Sequence, residues 1–135
     1  MFLLDTNIII PVLNESNDVL ARRLDVELER ATPILLSVVV LYELRFGIAL
    51  SARRTRNEAA LAQFLTMPLD LLNFDDEDAD HAADIRATLK RDGRPIGPYD
   101  ILIAAQARRR NAVLVTLNRR EFERVPSLMV SDWMT

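Results

Sequence analysis

The chain has 135 residues, half of them hydrophobic, a net charge of −3, one histidine (His81) and no cysteine. One domain spanning residues 1–135 is expected, and a chain of this length can bury roughly two-thirds of its unfolded surface. Without cysteine there is no disulfide framework, iron–sulfur cluster or thiolate zinc site, and one histidine makes no multi-His metal site. Any acid–base or metal chemistry must therefore rest on carboxylates.

The N-terminus lacks the charged segment and cleavage site of a signal peptide. No apolar stretch reaches the roughly 18 residues of a membrane span, because "TPILLSVVVLYELRFGIAL" is interrupted by Pro33, Glu43 and Arg45. A soluble, cytoplasmic protein is expected. The net negative charge offers no overall field to attract a polyanion, so nucleic-acid binding would need a local patch or bound cations. Arginine supplies nearly all the positive charge, Lys90 being the only lysine.

In chain order, "FLLD" reads as a short strand and "IIIPVLN" as a helix just after it. "NDVLARRLDVELERA" has helical apolar spacing, "PILLS" is a second strand, and "VVVLYELRFGIALSA" is too long for anything but a helix. "RNEAALAQFLTM" is a helix stopped by Pro68, and "LDLLNF" a third strand. "DDEDADHAADIRATLKRDG" is a helix with acids in its first turn, Lys90 and Arg91 in its last, and Gly93 to end it. "YDILIAAQARRR" is a further helix, "AVLVT" a strand, "RREFERV" a short helical piece and "LMVS" a last strand. Short apolar strands alternating with helices predict an α/β sandwich of three layers, a mostly parallel sheet of four to five strands covered by helices on both faces. "DDEDAD" is expected to be a solvated helix start with His81 on its exposed face. "RRR" at 108–110 should complement the end of its helix, and Trp133 should be a packing anchor.

Four polar positions fall where sites form in such sheets, beyond the carboxyl ends of the strands. Asp5 closes the first strand, where it could simply cap the following helix. Glu43 sits on a helix so apolar that few faces remain for solvent, and Arg45 points to another face. Asp100 lies in the first turn of a central helix entered through Gly97–Pro98. Asn118 follows the strand ending at Thr116. Two carboxylates about 4 Å apart repel by about 4 kcal/mol at an effective dielectric of 20. Such a cluster calls for a shared proton or a cation, and all-oxygen donors suit Mg²⁺ or Mn²⁺. A divalent ion can activate water and neutralise a phosphate oxygen, which is the chemistry of phosphodiester hydrolysis.

"LLDTN", "LYEL", "IGPYDILIAAQA" and "LVTLNRREFERVP" resemble, in order and spacing, the motifs of PIN-domain ribonucleases, above all the VapC-type toxins of toxin–antitoxin pairs. The resemblance implies a PIN-like sandwich and an Mg²⁺-dependent endoribonuclease, a homodimer neutralised by a cognate antitoxin. It makes Asp5 and Asp100 the metal ligands, Glu43 the third catalytic acid and Thr6 a hydroxyl beside the first acid. At the fourth catalytic position many relatives carry an acid and this chain has Asn118. Glu121, one helical turn on, could supply the missing charge, and one well-occupied metal site is expected. Arg119 and Arg120 are candidate contacts to RNA phosphate, with a transfer RNA or another structured RNA as the expected target. An antitoxin would lay a basic or amphipathic segment over the acidic cleft. Two other classes remain open: a phosphoaspartyl phosphatase or receiver-type domain, which would need a lysine near the phosphoryl group, and a non-catalytic binding module.

Overall fold

The computed structural model describes residues 1–134. Thr135, the last residue of the expected domain, lies outside the described residues. The elements run β1 (Phe2–Leu4), α1 (Thr6–Leu13), α2 (Asp18–Glu29), β2 (Ile34–Ser37), α3 (Val38–Leu50), α4 (Arg54–Phe64), β3 (Asp70–Leu72), α5 (Asp76–Arg91), α6 (Pro98–Arg109), β4 (Val113–Val115), α7 (Arg119–Phe122) and β5 (Met129–Ser131). The strands form one sheet in the order β3-β2-β1-β4-β5, and each neighbouring pair is parallel. Each expected strand and helix is present.

Strand β1 is central, pairing Phe2 with both Ile34 and Val113, and Leu3 with Leu35 and Leu114. Leu3 and Leu4 are buried, as a strand covered on both faces must be. The order reverses at β1: the chain first steps outward to β2 and β3, then crosses back to β4 and β5. Helices α1–α4 pack on one another and α5 packs on α6, as right-handed crossovers on opposite faces of the sheet would place them. The reversal leaves a crevice beyond the carboxyl ends of β1, β2 and β4, where Asp5, Ser37 and Thr116 stand. No described helix is long and apolar enough to cross a membrane.

Local signals explain the helix ends. Asp5 caps α1, Asn17 caps α2 and Ser37 caps α3, each accepting a bond from a first-turn N–H. Trp133 is the expected anchor. It is buried, its ring meets Phe2 edge-on at 5.3 Å, and the Arg23 guanidinium lies 5.5 Å over it.

Three expectations need correction. The flank of α3 that holds Tyr42, Phe46 and Leu50 is open to solvent, at 51, 57 and 73 % exposure, because only the Val40–Leu44 side packs inward. The acidic run is more than a solvated helix start. Asp75 and Asp78 cap each other's backbone reciprocally, and Asp78 is fully buried. The "RRR" segment is its partner: Arg109 reaches Asp75, Glu77 and Asp78, while Arg110 binds Asp78 at 2.8 Å and Arg108 binds Asp84 at 2.8 Å. His81 is half-buried and accepts a bond from Arg108 through Nδ1 at 3.1 Å. Sequence spacing could not pair two helices whose interacting residues lie about thirty positions apart.

Candidate active site

Asp5 is 6 % exposed, with both carboxylate oxygens engaged. Oδ1 accepts the Thr6 backbone N–H at 2.8 Å and Oδ2 accepts the Thr116 hydroxyl at 2.8 Å. The helix cap and the buried acid are therefore one and the same residue. Burial pushes its carboxyl above the ordinary range by more than the Thr116 and Thr6 bonds pull it down, and the Glu121 charge adds to the rise.

Thr116 is fully buried and works as a hub. Its Oγ1 donates to Asp5 and accepts from the Asn7 side-chain amide at 3.2 Å and the Asn118 backbone N–H at 3.0 Å. Asn7 Oδ1 in turn accepts the Leu117 N–H at 3.0 Å. Sequence reasoning passed over Thr116 and Asn7. The available signal was a hydroxyl ending an apolar strand, two residues before a candidate amide.

Glu43 is half-buried, and its Oε1 accepts the Thr6 hydroxyl at 3.1 Å. Thr6 thereby links the first and second acids. Burial raises the Glu43 carboxyl, the Thr6 bond lowers it, and the Asp5 charge raises it, with a net upward shift.

Asp100 stands in the first turn of α6, after Gly97 and Pro98. A Cβ on Gly97 would come within 3.2 Å of Asp100 Oδ2, crowding that acid, and would touch Glu121 Oε1 at an ordinary contact distance of 3.9 Å. The Asp100 carboxyl is pushed up to about 7, first by burial, then by its bond to Glu121 and that group's charge, then by Asp5 and Glu43. Glu121 is held low instead. Burial opposes its ionisation, but bonds from Gly97 N–H (2.9 Å), Asp100 and the Asn118 amide, with the Arg124 charge, outweigh it.

Asp5, Glu43, Asp100 and Glu121, from four separate segments, thus act on one another electrostatically. Among the described residues none of them makes an ion pair with a basic side chain. Asn118 is exposed and spends its amide on Glu121. Arg119 is tied to Glu123 at 3.2 Å and Asp132 at 3.8 Å, whereas Arg120 is exposed and makes no ion pair among the described residues. Lys90 is exposed in the last turn of α5, where it lines a groove with Arg86 and Tyr99, so no lysine stands beside Asp5 for phosphoaspartyl chemistry.

The donor set suits a hard divalent cation: oxygen only, one carboxylate almost dry, and mutual repulsion that a cation would relieve. Among the described residues no group of three or more His, Cys, Asp or Glu side chains is arranged to hold a metal by itself. Mg²⁺ characteristically uses one or two carboxylates and keeps several waters, which matches a pair rather than a cage.

The PIN domain model matches residues 2–128. The chain is 38 % identical over 132 residues to the tRNA(fMet)-specific endonuclease VapC of Salmonella typhimurium, covering 98 % of this chain and 97 % of the relative. It is 34 % identical over 133 residues to Ribonuclease VapC2 of Rickettsia felis, covering 98 % of both. Its fold superposes with a TM-score of 0.90 on a chain of the crystal structure of Rickettsia felis VapBC2 bound to a promoter DNA fragment, at 32 % identity and 96 % coverage of each chain. The acids, their strand-end placement and these full-length likenesses agree: this chain belongs to the PIN-domain family, in its VapC branch.

Proposed function

We propose that residues 1–135 form one nuclease domain that acts in the cytoplasm as the toxin of a toxin–antitoxin pair, a metal-dependent endoribonuclease hydrolysing RNA phosphodiester bonds. The observation that carries this reading is the convergence of four carboxylates, none of them ion-paired to a basic side chain among the described residues, with Asp5 nearly dry. Asp5 and Asp100 would hold Mg²⁺, or Mn²⁺ in its place. When bound, that ion supplies neutralisation of phosphate charge and a more acidic water.

The chain's own residues do the rest. Thr116 and the Thr6 N–H fix both Asp5 oxygens, so the carboxylate cannot rotate away from its task. Glu43, raised and held by Thr6, is placed to take a proton from an attacking water. Glu121 supplies the charge that Asn118 lacks, and Asn118 orients it. Arg120 is the free cation for RNA phosphate, with Arg119 restrained beside it. One tightly bound ion per chain is expected, and calorimetry that counts two equally tight Mg²⁺ ions would contradict this.

A relative's name supports transfer RNA as substrate, and a similar structure described as a member of the VapBC family of toxin-antitoxin systems supports an antitoxin as partner. A groove of about 200 Å³ between α1, α3 and α4, lined by Ile10, Leu13, Glu43, Leu44 and Ile48, suits an apolar antitoxin segment that ends against Glu43. The exposed Tyr42, Phe46 and Leu50 offer a contact for a second copy of the chain in a homodimer. The test is cleavage of total RNA and of isolated initiator transfer RNA by the purified chain, with Mg²⁺ and with EDTA. Discrete products that need Mg²⁺ and vanish in Asp5→Asn are expected. Equal cleavage by wild type and Asp5→Asn would end the proposal.

A further inference from the structure

Ser37 and Gln106 are both fully buried, joined by a hydrogen bond from the Ser37 hydroxyl to Gln106 Oε1. Neither belongs to the carboxylate cluster. Ser37 ends β2, and its Oγ also accepts the Val39 N–H at 3.0 Å, which fixes the first turn of α3. Gln106 sits well inside α6, and its Nε2 donates to the Asn73 carbonyl at 3.3 Å, just past β3. One amide therefore fastens α6 to the exits of two adjacent strands.

The spacing gives this bond its interest. Glu43 lies six residues after Ser37 on α3, and Asp100 six residues before Gln106 on α6. At 1.5 Å rise per residue, each acid is roughly 9 Å from the cross-link along its own helix. Ser37 meets Gln106 at one end, and at the other the rings of Tyr42 and Tyr99, each one residue before its acid, lie 5.5 Å apart. The two helices thus run in opposite senses, joined at one end and bearing acids at the other. Over an arm of that length a swing of about 5° displaces a carboxylate by roughly 0.8 Å, several times the tolerance of about 0.2 Å on a metal–ligand distance.

Stability explains part of this pair, the cap of α3 by Ser37 and the bond from Gln106 to the Asn73 carbonyl, but not the bond between the two side chains. The neighbours of Gln106 on α6, Ile103, Ala104, Ala105 and Ala107, are buried and apolar. An apolar pair of similar shape would replace the bond between the two side chains at little cost, though not their bonds to the Val39 N–H and the Asn73 carbonyl. What an apolar pair lacks is direction. We infer that Ser37 and Gln106 are positioning residues whose cross-link sets the separation of Glu43 and Asp100, and with it the affinity of the carboxylate cluster for a divalent cation. The inference rests on the metal-dependent reading above.

The test is Mn²⁺ binding to the full chain, followed by calorimetry, beside the thermal midpoint in EDTA. The double variant Ser37→Ala with Gln106→Leu should lower its midpoint, since the α3 cap and the bond to the Asn73 carbonyl go with it, and bind Mn²⁺ about ten- to a hundredfold more weakly, the range seen when outer partners of metal ligands are removed. Leu24→Ala, in the buried face of α2, should lower the midpoint and leave Mn²⁺ affinity unchanged. An unaltered affinity in the double variant overturns the inference, and so does an equal loss in Leu24→Ala. Should the double variant fail to fold, Gln106→Asn, which keeps the amide on a shorter arm, must show the weaker binding or the inference falls. A wild-type chain that binds no Mn²⁺ overturns the metal reading itself, whatever the variants do.

Discussion

The two ends of α6 carry the same chemistry to opposite effect. At its C-terminus, Arg108, Arg109 and Arg110 meet Asp75, Glu77, Asp78 and Asp84 of α5 and its cap, and acid is matched to base. At its N-terminus, Asp100 acts on Asp5, Glu43 and Glu121, none of which makes an ion pair among the described residues, and only the charge of Arg124 reaches Glu121. Burial opposes ionisation of Asp78, but bonds from Arg110 and the Asp75 N–H, with the charges of Arg110 and Arg109, hold its carboxyl below the usual range. Asp100 is driven the other way, to about 7. Clustered acid by itself signals nothing; an acid cluster from which base has been withheld signals a function.

The widest separation between the two ends should appear in cleavage. Asp5→Asn and Asp100→Asn should each lower the single-turnover rate by roughly a thousandfold, and cells inducing either variant should outgrow cells inducing the wild type. Asp84→Asn, at the matched end, should leave the rate within about threefold. Comparable losses at both ends would erase the contrast.

Stability should show the reverse ranking. Asp78→Ala removes a capping-box member and the buried partner of two arginines, and should cost about 2–4 kcal/mol in urea unfolding. Asp100→Asn relieves repulsion and should stabilise the metal-free chain at pH 8.

The pH dependence should change sign between the ends. A carboxyl raised in the folded state keeps its proton there after the unfolded chain has lost it, so stability falls as pH rises from about 4 through about 7. The metal-free thermal midpoint should therefore rise by a few degrees between pH 8 and pH 5, and Asp100→Asn should flatten that slope. Asp78, lowered in the folded state, contributes stability above its unfolded value, lost as pH falls below about 4. A metal-free midpoint that falls steadily from pH 8 to pH 5 would refute the assignment at Asp100.

The smallest effect concerns the arginines beside the acids. Arg120→Ala should weaken RNA binding a few-fold and reduce the salt slope by about 0.7, one single-strand phosphate contact. Arg119→Ala, already committed to Glu123 and Asp132, should do less. An Arg120→Ala chain with unchanged affinity and salt slope removes that contact from the proposal.

The fold was legible because each strand is a short apolar run and nearly every helix announces its start. Asp5 and Asp100 drew attention by their places, directly after a buried strand and at the head of a buried helix, although capping a helix and facing its dipole are ordinary uses of an acid there. Glu43 was singled out for a partly mistaken reason. The helix around it is apolar, but Tyr42, Phe46 and Leu50 face solvent, and Glu43 is enclosed from the Thr6 side. The matched cluster at 75–84 and 108–110 escaped notice because charge pairing across two helices leaves no periodic trace. Thr116, Ser37 and Gln106 escaped for a related reason: a buried hydroxyl or amide is defined by its distant partner, which sequence spacing does not supply.

The Thr116–Asp5 hydrogen bond joins residues 111 positions apart, across a parallel pairing that no local turn can nucleate. During synthesis the first acid leaves the ribosome long before the strand that orients it, and Glu121 follows later still. A chain that stops before Thr116 therefore carries its first aspartate without the hydroxyl that orients it, and the four acids share one cleft only after nearly the whole message has been read.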